Sequence, residues 1–242
     1  MKKLGRVVGH IPARGGSKRV PIKNLRIING KPLLQYAVES AIESNALDEV
    51  VVNTDNIDIA CLAKSLGVNV YMRAPELASD TATGDDFNYD FILHSSADTL
   101  VMVSPVCPLL EPSDIRDALS SYSLDNNVDT LISVHSTQMQ VFHEDSPVNI
   151  SLGGKLAPTQ QNTQVQILNW AVTIWDTRLY LQRYSEGDDA YIGRNRNLFS
   201  IDPLKSIKIS TEKDFQMAEL LLRVRSNRLL IDKPHYWHSL PE

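Results

Sequence analysis

Apolar and polar positions alternate along this chain in two periods, and the two take turns. Val7 to Ile11 is a short apolar run of strand character that breaks at Pro12. After Lys31 and Pro32, the residues Leu33, Leu34, Ala37, Val38, Ala41 and Ile42 fall on one face at helical spacing. Glu49 to Asn53 then reads as a buried strand ending in Thr54-Asp55, Asp58 to Leu66 as a helix stopping at Gly67, and Val68 to Met72 as a short strand. The pattern continues with a helix over Asp85 to Ser95, a strand over Thr99 to Val103, a helix over Pro112 to Tyr122 and a strand over Thr130 to Val134. Strands and helices alternating in this way predict a mostly parallel sheet covered on both faces, because each parallel crossover needs a helix to return the chain. The expected class is α/β, a Rossmann-like three-layer sandwich.

Past Val134 the alternation fails. Residues 136–168 are rich in Gln, Thr, Ser, Asn and Pro around a Gly153-Gly154 turn, which suits an arm protruding from a single domain spanning 1–242. A mobile lid and a plain surface excursion fit the same composition. A strand around Ala171 to Trp175 is expected to rejoin the sheet, followed by a polar stretch over Ser185 to Asn197 and a strand over Ser206 to Ile209. Thr211 caps a long helix with Asp214 as its box partner, and Phe215, Ala218 and Leu222 line the inner face of that helix. The tail from Leu229 through His235-Tyr-Trp-His238 reads as a packing segment; a metal pair formed by the two histidines is the alternative.

Composition narrows the function. A hydrophobic fraction of 43%, a charged fraction of 22% and a net charge of −5 describe an ordinary globular chain without the basic excess of a nucleic-acid binder. Cys61 and Cys107 have no metal or redox spacing, so no structural disulfide is expected. The first apolar run is too short for a signal peptide and no stretch reaches membrane-spanning length, which makes the cytoplasm the expected compartment.

The informative chemistry lies between Pro12 and Leu25. Gly15 and Gly16 permit a turn that directs successive amides to one point, and Arg14, Lys18, Arg19 and Lys23 surround it with positive charge. This is the composition of a polyphosphate cradle, although neither Walker nor dinucleotide glycine spacing occurs. In an α/β sheet the loop would lie outside the carboxyl ends of the strands, where Asn53-Thr54-Asp55, Arg73 and Ser104-Pro105 would converge on it.

The stretch Ile11-Pro-Ala-Arg-Gly-Gly-Ser-Lys18, continued by Pro21-Ile-Lys-Asn24, resembles the signature of acylneuraminate cytidylyltransferases, the CMP-sialic acid synthetases, departing from it at Arg19 and Val20. Arg73-Ala-Pro-Glu-Leu-Ala-Ser-Asp-Thr-Ala82 is similar to a second segment of that family, with its proline displaced by one. The resemblance implies a nucleotide-diphospho-sugar transferase fold and transfer of CMP from CTP to the anomeric hydroxyl of a nine-carbon 2-keto sugar acid, with loss of pyrophosphate. It further implies that Arg14, Gly16, Ser17 and Lys18 hold the β- and γ-phosphates and that Lys23 sits on the α-phosphate. Asn24 would hold the loop or the ribose, and Arg73 with the backbone near Ala82 the cytosine and ribose. The sugar would meet Ser104 and Asn169, and the arm would form a homodimer and reach a neighbour's site. The structural alternatives are that Arg73 is a turn residue paired with Glu76 or Asp80 and that Asp55 is a helix cap.

Departures from the family pattern fall on the acceptor side. Where the family carries two magnesium-binding aspartates, this chain has Lys208 and Ser210, a poor donor set for a hard cation. The family's Gln-Pro-Thr-Ser-Pro-Leu-Arg reads Ser104-Pro-Val-Cys-Pro-Leu-Leu110, and Trp170 replaces a glycine between Asn169 and Ala171. Three accounts follow: Mg²⁺ is delivered by CTP itself, Lys208 substitutes for the metal's charge, or the chain binds a nucleotide without catalysis. A transferase for 3-deoxy-manno-octulosonate is a rival, but its loop lacks the Gly15-Gly16 pair. A glycosyltransferase is disfavoured by the absence of any Asp-x-Asp sequence.

Overall fold

Val7–Pro12 forms the central strand β1 of the sheet, and its alternation decides which layer each side chain joins. Val7 and Ile11 point into one core, Val8 and His10 into the other. A computed structural model describes residues 1–152, 154–155 and 157–226; the expected tail from Leu229 and the position of Gly153 lie outside the described residues. The chain then runs through β2 (Ile27–Ile28) and β3 (Lys31–Pro32), a two-stranded ribbon, into α1 (Leu33–Glu43). It continues as β4 (Glu49–Thr54), α2 (Ile57–Ser65), β5 (Asn69–Met72), α3 (Gly84–His94), β6 (Thr99–Val103), α4 (Pro112–Leu124) and β7 (Thr130–Thr137).

The second half holds the short ribbon of β8 (Phe142–His143) and β9 (Ser146–Pro147), then β10 (Val165–Asp176), α5 (Thr177–Glu186), β11 (Arg196–Ser200) and α6 (Glu212–Ser226). Seven strands form one sheet in the order β11-β7-β10-β6-β1-β4-β5. Strand β10 runs antiparallel to both its neighbours, whereas the other pairings are parallel. Helices α1, α2 and α4 cover one face through Leu34, Val38, Ile59 and Ile115, while α3 and α5 cover the other through Phe91, Ile92 and Tyr180. The three-layer α/β class follows from this arrangement.

Two expectations need correction. Ser206 to Ile209 is not a strand; one backbone bond, from the Ile209 amide to the Val106 carbonyl at 2.9 Å, ties it to the body, and Ile209 packs with Val20, Ile28 and Phe215 beneath α6. The last strand is instead β11, which begins at the last two residues of the expected polar stretch and runs three residues past it, and α5 precedes it. Helix α6 starts as expected: the Asp214 amide donates to Thr211 Oγ1 at 3.3 Å, and Asp214 Oδ2 accepts from the Thr211 amide at 2.7 Å. No helix among the described residues is long and apolar enough to cross a membrane.

Beyond the sheet, Thr137 to His135 and Val165 to Ile167 pair only with each other, so β7 and β10 continue outward as a ribbon carrying the 138–164 excursion. Met139, Phe142, Val148 and Leu152 are exposed on it.

Candidate active site

Strand β1 stops at Pro12 and hands the chain to a loop fastened at several points. The Ala13 amide donates to the Asn53 carbonyl at 2.9 Å, and the Gly15 amide donates to Asp55 Oδ1 at 2.9 Å. Asp55 is therefore a loop anchor; the cap of α2 is Asn56, whose side chain accepts from the Ile59 amide at 3.0 Å. A β-carbon on Gly15 would come within 2.9 Å of Asn56, whereas one on Gly16 would meet open space. At the far end, the wholly buried Val20 anchors the loop in the α6 core, worth roughly 1.5–2 kcal/mol. A left-handed Ile22 then starts a short 3₁₀ turn over Lys23–Leu25. Asn24 closes the loop by donating to the Arg14 carbonyl at 3.0 Å; its Oδ1 is buried with no partner among the described residues.

This folding leaves a cleft of about 400 Å³ lined by Arg14, Gly16, Ser17, Lys18, Lys23 and Asn24, with Arg19, Pro105, Val106 and Ser210 completing it. Lys23 is held by the Ile209 carbonyl at 2.9 Å, and its pKa is lowered by burial and by the nearby cations Arg19, Lys208 and Arg14. Such crowding disfavours each charge unless an anion joins them. Asp80 supplies one for Lys18 and Arg14, with an oxygen 2.5 Å from Lys18 Nζ and another 3.4 Å from Arg14 Nη1; these partners, Lys18 first, lower the Asp80 pKa.

A second cavity of about 410 Å³ adjoins the first across Pro12, Pro105 and Val106. Phe87, Met102, Trp170 and Tyr191 supply its apolar lining, and Ser104, Asp85 and Lys208 its polar groups. Burial raises the pKa of Asp85, whose Oδ1 accepts from the Tyr191 amide at 3.1 Å. Trp170 and Tyr191 bring the aromatic character, and the replacement of glycine by tryptophan was the one sequence signal for it.

Three expected site residues line neither space. Arg73 is buried, its guanidinium donating to the Asn53 carbonyl at 3.1 Å and lying 5.0 Å from the Phe87 ring centroid; burial brings its pKa down to about 10. It shares that carbonyl with Ala13 and so supports the loop from below, without pairing to Glu76 or Asp80. The Ala82 amide is occupied by Ser79 Oγ at 3.2 Å. Asn169 lies buried in β10 behind Trp170, its Oδ1 accepting from Ser133 Oγ at 2.6 Å.

The expected metal position holds no carboxylate pair. Lys208 lines the second cavity and Ser210 the first, and among the described residues no group of three or more His, Cys, Asp or Glu side chains is placed to bind a metal. These residues do not fit a protein-held magnesium ion.

Fold and cleft together define an α/β protein with a cationic cleft at the carboxyl edge of its parallel strands, next to a second cavity. The chain belongs to the cytidylyltransferase family, whose model matches residues 8–230. It is 28% identical to post-translational flagellin modification protein B of Campylobacter coli over 92% of this chain and 97% of that one. It is also 25% identical to the N-acylneuraminate cytidylyltransferase of Escherichia coli O18:K1:H7, over 94% of this chain but only 54% of that protein. The CMP-N,N'-diacetyllegionaminic acid synthase of Legionella pneumophila is 35% identical over 49% of this chain and 54% of its own. Among solved structures, CMP:2-keto-3-deoxy-manno-octonic acid synthetase superposes with a TM-score of 0.70 over 91% of this chain and all of that one, at 19% identity, and so supports the fold.

Proposed function

We propose that this protein transfers CMP from CTP to the anomeric hydroxyl of an acidic 2-keto sugar of the nine-carbon class, releasing pyrophosphate. The observation that carries the reading is the pairing of a cationic, anion-poor loop cleft with an adjoining pocket that holds Lys208 and Ser104. The relatives named for N-acylneuraminate and diacetyllegionaminate act on acids of this kind. In the reaction the hydroxyl oxygen bonds to the α-phosphorus as the bond to the bridging oxygen breaks; pyrophosphate leaves with the electron pair, and the hydroxyl proton passes to solvent. Arg14, Ser17, Lys18 and the Gly16 amide hold the leaving phosphates, and Lys23 meets the α-phosphate. Their contribution is orientation and charge neutralisation, the main needs of phosphoryl transfer. Asn24 keeps the loop closed, and Arg73 braces it from below. Magnesium arrives on CTP rather than on protein carboxylates, since Lys208 and Ser210 stand where a carboxylate pair would hold it.

Pyrophosphate release from CTP, measured with a panel of nonulosonic acids, tests the reading. At least one acid should support release, and Lys23→Ala should lower kcat/KM by about 10²–10³, the scale of one lost preorganised donor. A CTP-induced rise in melting temperature with no release from any acid would instead identify a non-catalytic nucleotide binder.

We also propose that the protein works in the cytoplasm as a homodimer joined through the arm, on which Met139 is 71% and Phe142 51% exposed. Light scattering should give twice the chain mass and Phe142→Asp with Met139→Asp should halve it; a monomeric wild type would end this reading.

A further inference from the structure

Trp170 stands in the middle of a strand with a backbone that tryptophan disfavours. Its φ of 58° lies in the left-handed region, and of the described non-glycine residues with positive φ it alone sits inside a strand of the main sheet. A β-carbon makes this conformation costly, and such strain persists only where the surroundings enforce it. Here they do. The pairing of β10 with β7 shifts between Leu168 and Thr173, and side chains supply the bonds that the ladder omits. Asn169 Oδ1 accepts from the Ala171 amide at 3.1 Å as well as from Ser133 Oγ, and Ser133 Oγ accepts from the Val172 amide at 2.9 Å.

The bulge places the half-buried indole on the second cavity. It lies 5.2 Å from the Tyr191 ring, tilted by 51°. Tyr191 is fixed in turn by Trp175, whose Nε1 donates to its carbonyl at 2.8 Å, and by Gly84, where a β-carbon would come within 2.5 Å of the Tyr191 ring. The cation on this cavity is Lys208, which is exposed and forms no ion pair among the described residues. Asp85 also lines the cavity, with its Oδ1 taken up by the Tyr191 amide; the immobilised aromatic wall beside the unpaired Lys208 suits a ligand with an apolar face and a negative charge at the lysine.

We infer that Trp170 determines acceptor specificity: its indole is the platform for the apolar face of an acidic sugar, ring C–H or N-acyl methyl, whose carboxylate meets Lys208. The inference rests on the transferase reading above. Steady-state pyrophosphate release tests it, with N-acetylneuraminic acid, N,N'-diacetyllegionaminic acid and 2-keto-3-deoxy-manno-octonic acid as acceptor probes. Trp170→Gly suits the local backbone. It should raise the acceptor KM about tenfold, the scale of one lost stacking contact, while the KM for CTP and the CTP-induced melting shift stay within twofold. Trp170→Phe should restore most of the loss, and the quenching of tryptophan fluorescence by the acceptor should vanish in both variants. An unchanged acceptor KM in Trp170→Gly would overturn the assignment while leaving the transferase intact, and an equal rise in the KM for CTP would reduce Trp170 to a structural role. CTP binding without turnover or quenching by any of the three acids would remove the transferase reading and this inference with it.

Discussion

Lys23 shows how the cleft is kept ready for an anion. Burial and the neighbouring Arg19, Lys208 and Arg14 all act against its charge, and the only hydrogen bond of its ammonium among the described residues goes to the Ile209 carbonyl. Asp80 partly relieves the same repulsion for Lys18 and Arg14. On the proposed reading a triphosphate displaces that carboxylate, because both would occupy the same cations. Asp80→Asn should therefore tighten CTP binding about two- to fivefold at low salt, the worth of an exposed ion pair, with the gain shrinking as salt screens it. Calorimetric titration at two ionic strengths checks this; weaker binding by the variant would mean that Asp80 itself contacts the nucleotide.

At the scale of elements, the sequence was most readable where local chemistry and packing agree. The loop was legible because its residues carry both the phosphate chemistry and the turn, and α6 because Thr211 and Asp214, three positions apart, write its cap. The exchange of the Ser206–Ile209 strand for β11 has a physical cause. Ser-Ile-Lys-Ile alternates like a strand, but Ile209 is claimed by the α6 core, while Arg196–Ser200 is an edge strand whose residues are at most half-buried. Helix α5 went unseen because only Thr177 and Tyr180 are buried along it. The phosphate side of the site comes from one contiguous stretch, whereas the second cavity is assembled from α3, β6, the β10 bulge, Tyr191 and Lys208. Such a constellation depends on β10 returning antiparallel beside β6, which no local spacing announces. The burial of Arg73 went unread for a related reason: its position in the sequence matched, but its contact with the Asn53 carbonyl is a tertiary fact.

The whole molecule carries a titratable group at its centre that the proposed chemistry does not use. His10 lies on β1, the strand flanked by β6 and β4, wholly buried and stacked 4.3 Å from the Phe91 ring of α3, with Nε2 3.0 Å from the Asn53 amide nitrogen. Burial, with a smaller contribution from Arg73, pushes its pKa from 6.5 down to about 3. The folded protein therefore holds this histidine neutral, whereas the unfolded chain binds a proton there below about pH 6.5. Stability from this group is present above that pH and is lost as acid is added, continuing down to the folded value. The loss should reach about 2 kcal/mol at pH 5 relative to pH 7, a large share of the margin of an ordinary domain. Urea unfolding at both pH values, compared between the wild type and His10→Gln, isolates the term, because the variant keeps every other titrating group. The variant's stability should fall by about 2 kcal/mol less over the same interval; equal slopes would show that His10 is protonated in the folded state or reached by water.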